Sequence, residues 1–199
     1  MISIRPFKYK QLPYEWHWLL NEDGPKMIVE ALQHYGILEK VGKGSEPDIT
    51  EWAKELLIDN IYTDDDIPWC GLFIAIVAKR SGKLVVNKDG KLAYEFEGKE
   101  VIKHPLWARD WLNFGDKITT PMLGDILVFK RNSGGHVGLY VGETDTSYAV
   151  LGGNQSNSVT IAWIAKNRLL GARRKYVNQP QNVRVIKLKK SGQLSTNEI

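Results

Sequence analysis

The chain contains a single cysteine, Cys70, among its 199 residues. An intramolecular disulfide is therefore excluded, and so are zinc sites built from several thiolates. No apolar run approaches the roughly 18 residues of a membrane helix. The first twenty residues, MISIRPFKYKQLPYEWHWLL, place Arg5, Lys8, Lys10 and Glu15 among the aromatics, a pattern unlike a cleavable secretory signal. These absences predict a protein with no membrane span, made in the cytoplasm without a cleavable signal. Charge of one sign does not dominate either: 27 basic against 23 acidic residues leave +4. That mild excess suits an anionic partner or plain solubility equally. Arg173, Arg174, Lys175 and the tail lysines form no dense basic stripe, so nucleic acid is not an expected partner.

What is present is an ordinary core-forming composition, 43% hydrophobic and 25% charged. Seven Trp and eight Tyr are many for this length. They fit a core or a substrate groove alike. From Pro25 the pattern turns helical, with Met27, Ile28, Ala31, Leu32 and Tyr35 on one stripe, and Gly36 placed to end it. A second helix is expected over ITEWAKELLIDN, capped by Asp48 or Thr50. A third begins at Cys70 and runs through the apolar CGLFIAIVAKRSG. A hairpin around Lys88-Asp89-Gly90 follows, then a short helix over PLWARDWLNF opened by Pro105. On that helix Trp107 and Trp111 would share a face, read first as core and second as the wall of a groove.

Beyond residue 120 the chain changes character. GDILVFKR, HVGLYVGE, YAVLGGNQ, SVTIAWI and LLGARRKY are short runs rich in β-branched and aromatic residues, separated by Gly- and Ser-rich turns. Helices first and strands second indicate an α+β domain, with N-terminal helices on an antiparallel sheet of at least four strands. The expected organisation is an N-terminal extension over 1–24, a domain over 25–176 and a polar, basic tail over 177–199. Within the tail, VRVIKL is a candidate for one added strand.

Cys70 stands at a predicted helix N-terminus, where the positive end of the dipole favours the reactive thiolate. A lone thiol on an apolar helix reads equally well as a core residue. His136 tips the balance. It follows Gly134-Gly135 at a strand entry and supplies the base that a nucleophilic thiol needs. Asn154 likewise follows a Gly-Gly pair, at the end of the next strand. Its amide oxygen could accept the imidazole Nδ1–H and orient the ring. Gln155 could do the same, but strand alternation would turn it to the opposite face. Asp64, Asp65 and Asp66 resemble a fragment of a calcium loop, yet the central Gly and terminal Glu are missing. A solvated acidic loop is the reading adopted, and no metal or cofactor is expected.

Taken in order, PWCGLFIAIVAKRSG, PMLGDILVFKR, GGHVGLYVGE and VLGGNQSNSV resemble the CHAP and NlpC-type group of papain-like peptidoglycan hydrolases (cysteine, histidine-dependent amidohydrolases and peptidases). The similarity is to a bacterial and phage subfamily with PWCxxF, GDIxVF, GGHVGxYxGE and GGNQxN. It runs from about Ile28 to Arg174. The resemblance implies a papain-like fold with Cys70 as nucleophile, His136 as base and later acid, and Asn154 as orienter. It also implies a structural Gly124-Asp125. The substrate would be an amide of the stem peptide, of the cross-bridge or of the bond joining stem to sugar. Peptidoglycan would be the partner, reached after release or delivery by a signal-independent route. An immunity or inhibitor protein is a further partner if the enzyme is a delivered toxin. Two rival readings are a cysteine hydrolase of non-wall amides and an inactive papain-like binding module.

Overall fold

A computed structural model describes residues 12–82, 84–86, 92–96, 99–100, 103–131, 134–175, 179–189 and 192–195. Helices α1 (Lys26–Leu32), α2 (Pro47–Glu55) and α3 (Cys70–Ser81) come first. Strands β1 (Leu84–Val86), β2 (Leu92–Phe96) and β3 (Lys99–Glu100) form a small sheet of their own. The expected hairpin is present as the antiparallel pairing of Leu84 with Tyr94 and Val86 with Leu92; its turn lies outside the described residues. The main sheet comprises β4 (Asp116–Ile118), β5 (Ile126–Arg131), β6 (Gly134–Glu143), β7 (Ser147–Gly152), β8 (Thr160–Ala165) and β9 (Leu169–Arg174). Its strand order is β4-β9-β5-β6-β7-β8, antiparallel at every pairing. The fold is α+β, as the succession of patterns indicates.

α3 is the central helix. Every residue from Cys70 to Ala78 is buried, as an all-round apolar helix must be. It packs on α1, α2, β6 and β7. The strands alternate as period-2 patterning demands. Ile126, Val128, Val137, Leu139, Val141 and Leu151 join the helices in one core, while Leu127, Phe129, Tyr140, Tyr148 and Val150 form a second cluster.

Two local expectations need correction. α2 starts at Pro47 with Glu46 as its N-cap residue, and no side chain caps it; neither Asp48 nor Thr50 has that role. The PLWARDWLNF segment is a 3-10 helix over Ala108–Asn113. It begins after Trp107, so the two tryptophans do not share a face: Trp111 is fully buried and Trp107 is 65% exposed.

The flanking segments pack on the domain. A 3-10 helix over Tyr14–Asn21 buries Trp16 and Leu19, and Trp16 lies 6.0 Å from Trp163 of β8. Residues 183–188 run along β6: Glu143 N donates to Ile186 O and Leu188 N to Glu143 O, both at 2.8 Å. VRVIKL contributes a single parallel bridge between Lys187 and Glu143 rather than a strand. Farther on, Ser195 N donates to Trp163 O at 2.7 Å.

Candidate active site

Cys70 is the first residue of α3 and is 4% exposed. Backbone N–H groups of Val137, Gly71 and Cys70 itself favour its thiolate form. Val137 follows His136 on β6, one of the strands on which α3 packs. Burial pushes the Cys70 thiol up from its ordinary range; these N–H groups and the positive charge of Arg131 pull it back without overcoming burial. The expected activation by the helix N-terminus is thus present but outweighed by desolvation in the enclosed site.

His136 is fully buried and pairs with Phe129 across the β5–β6 ladder. Its Nε2 lies 3.0 Å from Gln155 Oε1. The Gln155 amide cannot be turned over, because its Nε2 faces the carbonyls of Val150, Gly152 and Thr160 at 3.1, 3.4 and 2.5 Å. Oε1 therefore faces the imidazole, and His136 Nε2 carries the proton that it donates. In that tautomer Nδ1 is the ring nitrogen with a lone pair that can accept a proton.

Two sequence expectations are corrected here. The oriented nitrogen is Nε2, not Nδ1, and the orienting bond to it comes from Gln155, not Asn154. The alternation argument fails because β7 ends at Gly152. Past it the chain is no longer extended: Asn154, Ser156 and Asn157 have φ of 56°, 51° and 58°. Asn154 is buried in this turn, 2% exposed. A Cβ at Gly152 would stand 3.1 Å from Gln155 Oε1 and 3.5 Å from His136 Nε2. One at Gly153 would stand 2.5 Å from Phe73 Cβ and 2.7 Å from the Trp69 ring. The Gly-Gly pair thus lets the loop close on both the imidazole and the start of α3.

The segment 104–110 lies against both α3 and β6, the elements that carry Cys70 and His136. A Cβ on Gly71 would stand 2.5 Å from Pro105 O and 2.6 Å from the Leu106 carbonyl carbon. One on Gly135 would stand 3.0 Å from Arg109 Cγ and 3.4 Å from Ala108 Cβ. The residues next to Cys70 and His136 are therefore glycines where this segment is seated. Arg109 Nε and Nη2 donate to Gly134 O at 2.9 and 2.6 Å, and Trp111 Nε1 donates to Pro105 O at 2.9 Å. Sequence reasoning missed this role. The available signal was glycine directly beside each candidate catalytic residue.

The acidic loop is structural in part. Asp65 is 1% exposed, and its Oδ2 accepts Lys40 N at 3.0 Å and Glu46 N at 2.7 Å. Among the described residues, no cluster of His, Cys, Asp or Glu has the arrangement of a metal site. Asp125 is fully buried; it accepts two bonds from Arg174, at 2.6 and 2.7 Å, and one from Met122 N at 2.8 Å. The Gly124-Asp125 pair thereby ties β5 to β9. Neither a protein-family model nor a curated protein sequence matches this chain.

Proposed function

We propose that this protein is a cysteine hydrolase of the CHAP and NlpC-type, papain-like kind, cutting an amide bond of bacterial peptidoglycan. The observation that carries the reading is one constellation: a thiol at the start of a helix packed on the strand of His136, and an imidazole oriented by a buried amide of fixed direction. Its parts suit acyl transfer. His136 Nδ1 takes the Cys70 proton as the sulfur attacks the carbonyl. The N–H groups converging at the helix start stabilise the oxyanion. His136 then protonates the leaving amine and activates water to release the acyl-enzyme. Peptidoglycan as the particular amide, and an approach to the wall by a signal-independent route, rest on the four motifs in their order.

The test is digestion of purified peptidoglycan, with released muropeptides identified by mass spectrometry. New amino termini or free stem peptides with wild-type protein, and none with Cys70→Ala, are expected. A Cys70→Ala protein that releases the same products would sink the assignment. A wild type that cleaves only soluble peptides would move the substrate away from the wall.

A further inference from the structure

We propose that Trp107, stacked on His104 at the crest of the 104–110 segment, is a docking platform for a sugar ring of the substrate's glycan strand. This inference rests on the wall-hydrolase reading and deepens it. Trp16, Trp52, Trp69 and Trp111 are at most 6% exposed, whereas Trp107 is 65% exposed. Its surroundings hold it in place without covering it. Trp107 N donates to His104 O, and Asp110 N to Trp107 O, both at 2.9 Å. Asp110 Oδ2 accepts the His104 backbone N–H at 3.0 Å and bonds His104 Nδ1 at 2.9 Å. The imidazole so fixed stacks on the indole, with centroids 4.7 Å apart and planes at 25°. One face of the indole is thereby backed.

Position ties the platform to catalysis. Trp107 directly follows Leu106, whose carbonyl carbon sits against Gly71, the residue after the nucleophile. The backbone that carries the indole is therefore one residue from the start of α3. The chemistry around it selects the ligand class. A lipid or an apolar side chain would call for a broader apolar patch. The indole stacks instead on His104, a polar ring that Asp110 holds. A pyranose matches both features. Its C–H face covers the aromatic ring, and its hydroxyls reach the half-exposed His104 and the Asp110 carboxylate.

The experiment uses the full chain carrying Cys70→Ala, which binds without cutting. This protein and its Trp107→Ala and Trp107→Phe derivatives are sedimented with insoluble peptidoglycan. They are also titrated with a soluble β-1,4-linked N-acetylglucosamine tetramer, followed by NMR of the indole N–H signals. Trp107→Ala should bind both ligands about tenfold more weakly, with Trp107→Phe in between, and the Trp107 signal should shift as the sugar binds. With Cys70 intact, Trp107→Ala should lose about tenfold more activity on wall than on a sugar-free stem peptide. Unaltered sedimentation with a stationary Trp107 signal overturns the proposal, as does an equal loss on wall and peptide, the mark of a purely structural role. If wild-type enzyme cuts neither substrate, the wall-hydrolase reading fails, and the sugar titration still judges the platform by itself.

Discussion

At the residue scale, Cys70 and Gln155 make the sharpest claims. A thiol raised by burial is mostly protonated at neutral pH, and its thiolate fraction keeps growing above the range where a free thiol has finished ionising. Alkylation of Cys70 by iodoacetamide should accordingly be slow at pH 7 and still be rising at a pH where glutathione has levelled off. A rate that plateaus with glutathione would show that the sulfur is not enclosed as described. Gln155→Ala removes the acceptor of His136 Nε2–H and the donor to three carbonyls around two buried side chains, where each unsatisfied group costs about 1–3 kcal/mol. Turnover should fall by about 100-fold or more, beyond the loss in Asn154→Ala. Gln155→Glu is more telling. A carboxylate would meet those three carbonyl oxygens with no hydrogen to offer, so the substituted side chain works best protonated. Its residual activity should decline as pH rises through the range where wild type is active; a parallel pH profile would refute the amide's fixed direction. The sequence made Cys70 and His136 legible, because helix start and strand entry are local patterns. It pointed to Asn154 rather than Gln155, because the turn that decides between them depends on Gly153 seating against Trp69 and Phe73, a contact between segments far apart in sequence.

Among the elements, α3 and strands β5 to β9 could be read from their apolar runs and the Gly- and Ser-rich turns between them. β4 could not: Asp116, Lys117 and Ile118 show no alternation and are a strand only because β9 pairs with them. The 104–110 segment was expected as part of a short helix opened by Pro105, not as the piece lying on both α3 and β6. That placement makes a prediction about Gly71. In an open helix, Gly to Ala would stabilise by about 1 kcal/mol. Here the new methyl meets the backbone of Pro105 and Leu106, which has no flexible side chain to yield. Gly71→Ala should therefore destabilise by about 1–3 kcal/mol and lower activity, seen as a reduced Tm and slower peptide cleavage. An unchanged Tm would mean that the segment shifts freely away from α3.

For the whole molecule, the two ends of the described chain are joined through Glu22. Its carboxylate binds Asn182 Nδ2 at 2.7 Å and Arg184 at 2.7 Å. Burial tends to raise Glu22, but the bonds from Arg184 and Asn182 outweigh it and hold the carboxyl below its usual range. A carboxyl lowered in the folded state stabilises above its unfolded pKa, and that stabilisation is lost as pH falls through the folded value. Glu22→Gln should thus lower Tm near pH 7, with the deficit shrinking toward pH 3; a deficit that stays constant would assign the loss to packing instead. The bond from Ser195 to Trp163 has a different consequence. β8 is the last strand of the sheet, and its sequence TIAWIA is apolar and rich in strand formers. With residues 192–195 lying along it, part of its row of backbone groups is occupied and cannot template a neighbouring molecule. Protein truncated before residue 190 should show rising light scattering and thioflavin binding on gentle heating, at temperatures where the intact chain stays clear.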